Sequence, residues 1–157
     1  MSPEAQQAVK FAGRDFPLNR HVCAFFYSKE EEYRVLLPYV GEGIRAGDKA
    51  FHIVDPGHRA RHLEVLRSSG IDVDGAVRTG QLEVRSWQDA YLRGGRFDQH
   101  AMLALIQEVL GGAKRFPLTR LVANMEWALE DLPGVDDLVE YETRLNYILP
   151  KFDDPVI

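Results

Sequence analysis

Residues 21–33, His21-Val22-Cys23-Ala24-Phe25-Phe26-Tyr27-Ser28-Lys29-Glu30-Glu31-Glu32-Tyr33, decide how the rest of the chain is read. An apolar, aromatic run stops at Ser28 and turns into charge. Val22 to Tyr27 has the length and β-propensity of a strand buried on both faces. Ser28-Lys29-Glu30-Glu31 has the S-x-x-E form of a capping box, with Ser28 as the cap and Glu31 reaching back. A buried strand running directly into a helix N-terminus is the junction at which open α/β folds bind ligands and nucleotide folds hold phosphate.

This junction is wrong for phosphate. A P-loop needs G-x-x-x-x-G-K-[ST], whose backbone N–H groups cradle the phosphates while its lysine neutralises them. No glycine lies between Phe25 and Val40. Glu30, Glu31 and Glu32 fill the first helical turn, satisfy the helix dipole themselves and repel a triphosphate. Lys29 alone does not offset three carboxylates. Ordinary ATP binding is therefore not expected here.

Outward from the junction, strand and helix alternate. Tyr33, Leu36, Leu37, Val40 and Ile44 recur at helical spacing up to Gly47, with Pro38 expected to kink the helix. Lys49 to Asp55 reads as a second strand, followed by a short basic helix from about His58 to Ser68. A helical turn after Ile71 ends near Gly80. Gln81 to Arg85 is a third strand, and Ser86 to Arg96 is a loop holding Trp87, Tyr91 and Gly94-Gly95. Asp98 caps a helix whose stripe is Met102, Leu105, Ile106, Val109 and Leu110, with Phe97 stapled to Met102. Leu118 to Met125 is a fourth strand. After Pro133-Gly134 a last helix buries Leu138, Tyr141, Leu145 and Ile148, with Glu140 and Arg144 paired at i,i+4. The alternation predicts an α/β fold of three layers, a mainly parallel sheet with helices on both faces. Residues 1–17 read as an N-terminal arm with a short helix over Pro3 to Lys10, and 18–157 as one domain. The apolar ending Asp153-Asp154-Pro155-Val156-Ile157 resembles the start of another strand, as in a fragment of a longer protein.

Bulk properties narrow the function classes. Of 157 residues 45% are hydrophobic and 27% charged, which is globular composition. The net charge of −5 is spread along the chain without a basic block, which disfavours direct nucleic-acid binding. No apolar run approaches the roughly 18 residues of a membrane span, and no signal-peptide pattern opens the chain. The single cysteine, Cys23, allows no intramolecular disulfide. A cytoplasmic protein is expected.

Each candidate site has a plain alternative. His58 and His62 are spaced i,i+4 with Glu64 nearby, as in helical metal pairs, but two ligands alone do not define a site and a solvated basic helix face is the preferred reading. His52 reads as a hydrogen-bonded core histidine, His21 as structural, and Cys23 as buried and inert. Gly94-Gly95-Arg96 could hold an anion or be an ordinary loop. Asp55 and Glu126 each end a strand on one edge of the sheet, where they could act as acid and base, as caps or as surface charges. The edge rule brings Tyr27, His58, Trp87 and Trp127 near them, giving an aromatic-lined pocket for a small, partly apolar ligand. No cofactor, no metal and no catalytic set is assigned.

The ordered segments HVCAFFYSKEEEY, IRAGDKAFHIVD, SSGIDVDGAVRTGQLEV, WQDAYLRGGRFD, RLVANMEWAL and DLVEYETRLN resemble the MEDS family, the methanogen/methylotroph sensory domain of regulators, over residues 18–157. The family looks like a relative of KaiC-type, RecA-fold ATPases whose Walker motifs have degenerated. Phe26 to Glu32 then stands where the P-loop would be, and Leu121 to Met125 where a Walker B strand would end in Asp. The resemblance implies a non-enzymatic sensor of a small molecule, proposed in the family to be a hydrocarbon derivative. It implies an output partner such as a DNA-binding or histidine-kinase-type module. It also leads one to expect an acidic residue where Asn124 stands. Two other readings compete. One is a divergent nucleotide-binding or hydrolytic enzyme using Asp55 and Glu126. The other is an interaction module that dimerises through an unpaired C-terminal strand edge.

Overall fold

The computed structural model describes residues 8–16, 21–112 and 114–157. Its first long helix, α1 (Lys29–Ala46), starts where the capping signal predicts. Ser28 has extended backbone, and its hydroxyl accepts from the Glu31 N–H at 3.2 Å. The Glu31 carboxylate reaches back to the N–H of Tyr27 at 2.8 Å, one residue earlier than the reciprocal box requires. Gly47 ends the helix in the left-handed region at φ 85°, a conformation that costs glycine nothing. Pro38 lies inside α1, which runs continuously through it.

The central strand, β3 (Lys49–Val54), pairs in parallel with β4 (Leu82–Ser86) and β5 (Thr119–Ala123), in the order β4-β3-β5. Between β3 and β4 lie α2 (Arg59–Ser68) and α3 (Val73–Thr79); α4 (Gln99–Gly111) precedes β5 and α5 (Leu138–Ile148) follows it. Strand side chains alternate between faces. Phe51, Ile53 and Leu121 pack in one core with Met102 and Ile106 of α4 and Tyr141 and Leu145 of α5. Ala50, Leu82 and Val122 join a second core with Leu36, Tyr39 and Val40 of α1, Leu66 of α2 and Val73 of α3. The fold is α/β, as expected, with a parallel three-stranded sheet and five helices among the described residues.

The opening run departs from expectation. Val22 to Tyr27 is not a buried strand: Phe25 is 93% exposed and Tyr27 fully so. The place beside β5 is taken by the end of the chain. Leu121 N–H donates to the Pro155 carbonyl, and Ile157 N–H to the Leu121 carbonyl, both at 3.0 Å. Only His21 and Val22 reach this added segment, through a parallel bridge to Val156 and a Val22 N–H···O=C Val156 bond of 3.0 Å. Beyond them the run leaves the sheet. The C-terminal segment is bonded on both sides, so it is not the unpaired edge on which dimerisation was expected to rest.

The N-terminal helix expected over Pro3 to Lys10 lies outside the described residues up to position 7. Lys10 itself begins a minimal hairpin, β1 (Lys10–Phe11) with β2 (Arg14–Asp15). Val9 and Phe16, flanking it, are buried in the core beside α1. Among the described residues no helix is long and apolar enough to cross a membrane.

One charged side chain in the sheet fixes α1. Arg120 of β5 is 2% exposed and points into the α1 layer. Its Nε donates to Asp48 Oδ2 at 2.8 Å and its Nη1 to the Tyr39 carbonyl at 2.9 Å, while the guanidinium lies 5.0 Å from the Tyr39 ring centre. Gly43 makes room, since a Cβ there would sit 2.5 Å from Arg120 Cδ. Without Asp48, the buried guanidinium is left with the longer ion pair to the more exposed Glu42 carboxylate at 3.6 Å. Asp48→Ala is expected to cost about 3–5 kcal/mol, read as a lowered urea midpoint. An unchanged midpoint would show that Arg120 finds solvent instead.

Candidate functional site

The first turn of α1 carries Lys29, Glu32 and Tyr33 to the carboxyl ends of β3 and β5. Lys29 Nζ donates to Glu32 Oε2 at 2.8 Å and also contacts the carboxylate of Glu126, just past β5. Asn124 Nδ2 donates to the other Glu32 oxygen at 2.7 Å. Glu32 is therefore buried with both oxygens engaged. Burial pulls the Lys29 ammonium towards deprotonation, but its bonds to Glu126 and Glu32 outweigh this and hold its pKa above the ordinary value. The lysine at the helix start is thus neutralised by carboxylates of its own chain.

Asn124 is the hub of this edge. Its N–H donates to the Ile53 carbonyl at 2.8 Å, and its own carbonyl accepts from the Trp87 indole at 2.9 Å. An acidic residue at 124 would face the Glu32 carboxylate; the amide instead donates to it.

Beside the network runs a relay of neutral groups. Tyr33 Oη lies 3.0 Å from His62 Nδ1, and His62 Nε2 lies 2.8 Å from His52 Nδ1. Each contact is satisfied by one proton, with Tyr33 donating to His62 and His62 to His52 when both rings are neutral. Burial lowers the His62 pKa to about 4, with the Lys29 charge adding to it, and pushes His52 well below its ordinary value. His62 therefore points inward and is not part of a solvated face, which corrects the sequence reading. The leucine-bearing face of α2 turns it towards β3. His58 stays outside, so the i,i+4 histidines do not converge on a metal.

A cleft of about 490 Å³ opens on the same edge, lined by Asp55, Pro56, Trp87, Leu92, the Gly94-Gly95 turn, Glu130 and Leu132. Trp87 forms its wall while its N–H reaches Asn124, so cleft and network share a hydrogen bond. Asp55 accepts from His58 Nδ1 at 2.6 Å and from the Gly57 N–H at 2.8 Å. Burial pushes the Asp55 carboxyl up, but these two bonds outweigh it and lower its pKa. The charges lining the cleft are the carboxylates Asp55 and Glu130, which disfavours an anion at Gly94-Gly95-Arg96. A second cavity, about 270 Å³, lies at the amino ends of the strands. There Lys49 pairs with Glu83 at 2.6 Å and Lys114 with Asp154 at 3.5 Å, and Arg115 also lines the cavity.

Of the six residues expected to line a pocket, the structure brings Asp55 and Trp87 into the cleft, with His58 bonded to Asp55 at its margin. Glu126 belongs to the Lys29 network. Tyr27 projects into solvent. Trp127 is fully buried, with ring centres of Tyr91 and Phe97 at 4.9 and 5.0 Å, and is a core residue. Cys23, expected to be buried, is exposed because its segment leaves the sheet. Leu92, Glu130 and Leu132 escaped the sequence reading. Only the proximity of Trp87 to the Gly94-Gly95 turn hinted at the first of them.

Two outcomes test these assignments. His62 has a folded pKa of about 4 against an ordinary 6.5, so the unfolded chain binds more protons between these values. Stability should therefore fall as pH drops from 6.5 towards 4, by about 3 kcal/mol from this group. In His62→Gln that part of the slope should vanish from urea midpoints measured against pH. Asn124→Asp sets two carboxylates together and should destabilise the fold by about 1–3 kcal/mol at neutral pH, the deficit shrinking on acidification. A pH-independent deficit would exclude carboxylate repulsion as its cause.

Comparison with known proteins follows the same outline. No solved structure matches the chain at a significant level. The transcriptional repressor DcmR of Methylorubrum extorquens is 32% identical over 142 residues, covering 90% of this chain and 51% of the repressor. The chain thus spans about half the length of that curated relative. The family model for the methanogen/methylotroph, DcmR sensory domain matches residues 20–155, taking in α1, the parallel sheet, the cleft and α5. The chain belongs to the MEDS family of sensory domains.

Proposed function

We propose that residues 18–157 form a non-enzymatic sensory unit of a cytoplasmic transcription-regulatory or signalling protein, and that a small, largely apolar molecule binds in the Trp87 cleft. The observation that carries this is the hydrogen bond from the cleft wall to the network: Trp87 Nε1 to the Asn124 carbonyl, with Asn124 holding Glu32. A ligand that moves the indole perturbs Asn124, and through it the first turn of α1. The cleft offers Trp87, Leu92, Leu132 and Pro56 as apolar walls, which suits a hydrocarbon or halogenated hydrocarbon. The similarity to a transcriptional repressor supports an output module such as a DNA-binding or kinase-type domain as partner.

The junction supports descent from a RecA- or KaiC-like nucleotide fold. The Ser28-capped helix start sits at the carboxyl edge of a parallel sheet, where phosphate would bind. The Glu32 and Glu126 carboxylates beside Lys29 argue against retained triphosphate binding. The enzymatic alternative, with Asp55 and Glu126 as acid and base, finds less support because both carboxylates are held by neighbouring groups.

Trp127→Phe leaves Trp87 as the sole indole. Dibromomethane should then quench its fluorescence saturably, and should raise the melting temperature of the unmodified chain. Leu132→Phe, which fills the cleft, should abolish both effects. Magnesium-ATP should shift nothing. A thermal shift with ATP and none with the halocarbon would replace the sensing proposal with a nucleotide-binding one.

A further inference from the structure

The segment that leaves the sheet meets α5. His21 and Cys23 are two residues apart, and both side chains turn to the same side. They face Glu142, one turn into α5. One ligand atom from each of His21, Cys23 and Glu142 lies within 4.8 Å of the others. His21 Nε2 is 3.5 Å from Glu142 Oε2. That oxygen is buried and makes no hydrogen bond. The other ring nitrogen, His21 Nδ1, lies 3.3 Å from Asn146 Oδ1. In the tautomer with its proton on Nδ1, the ring donates to Asn146 and turns its Nε2 lone pair towards Glu142 and Cys23.

We propose that His21 Nε2, Cys23 Sγ and Glu142 Oε2 form a binding site for a transition-metal dication of the zinc class, with Asn146 orienting the histidine. Zinc bonds of about 2.0 Å to N and O and 2.3 Å to S place tetrahedral ligand atoms about 3.3–3.6 Å apart. The His21–Glu142 separation already has that value, and Cys23 needs only a small approach from an exposed segment. Imidazole, thiolate and carboxylate together suit zinc, and three protein ligands leave the fourth position to water. The Asn146 contact is the outer-shell partner that metal-bound histidines generally have. On binding, the Cys23 thiol releases its proton to solvent and the sulfur forms the metal bond. A dication also supplies the charge that the buried Glu142 oxygen lacks. The metal would tie the segment ahead of α1 to α5.

Cobalt(II) titrated into the reduced, chelator-treated chain tests this. One equivalent should produce tetrahedral d–d absorption and a thiolate-to-cobalt charge-transfer band, both erased by zinc. Cys23 is the sole cysteine, so the band reports that residue. Cys23→Ser should lose the band, and Glu142→Gln should weaken binding. Asn146→Ala should weaken it about 10–100-fold, while His58→Ala should leave it unchanged. If Glu142→Gln fails to fold by circular dichroism, Asn146→Ala carries the comparison. A charge-transfer band that is absent, a stoichiometry of half an equivalent, or binding that depends on His58 instead would each overturn the proposal.

Discussion

A buried guanidinium sets the frame of this domain. Arg120 cannot leave its charge unpaired in the interior, and Asp48, itself without exposure, meets it just after α1 ends. A pair of this kind adds little net stability over apolar side chains of the same volume, because both ions have lost their water. Its strong effect is on geometry. The bonds to Asp48 and to the Tyr39 carbonyl, with Gly43 cut back to admit the side chain, allow α1 one height and one rotation over β5. Four residues further along the same strand line, Asn124 holds Glu32 at the other end of the helix. Both ends of α1 are thus fastened to β5 and its continuation, and the upper fastening is where the cleft connects.

The site differs from a nucleotide cradle in where its charge balance comes from. A phosphate site keeps a lysine and backbone N–H groups ready for an external anion. Here Glu32 and Glu126 supply the anion internally, Asn124 completes the shell of Glu32, and the neighbouring histidines are held neutral. What the cleft presents is a lining of Trp87, Leu92 and Leu132, the first two largely buried, with carboxylates at its margin. Such a surface discriminates by shape and desolvation more than by charge.

Helix boundaries were legible because their chemistry is local. Ser28, Gly47, Gly80 and Asp98 each act within a few residues of where they stand. The edge rule brought Asp55 and Trp87 to one edge of the sheet, where both line the cleft, because it depends only on strand direction. What stayed hidden depends on residues distant in sequence. Val22 to Tyr27 has every local mark of a strand, but the slot beside β5 is taken by residues 155–157. Arg120 gave no sign of burial, since its partner lies 72 residues away. His62 resembles its charged neighbours on α2 until Tyr33 and His52 are brought against it. Trp127 and Trp87 are alike as sequence signals; their roles separate only because Tyr91 and Phe97 enclose the former.

Pro38 has a mechanical meaning once both fastenings of α1 are known. A proline inside a helix donates no hydrogen bond to the carbonyl four residues earlier, so the outer, exposed side of α1 lacks one rung there. That missing rung falls between the half gripped by Arg120 and the half carrying Lys29, Glu32 and Tyr33. Bending stiffness is therefore lowest at the boundary between a clamped foot and a head held only by side-chain bonds. The helix is built as a cantilever whose compliant point separates the anchored end from the end that meets the cleft.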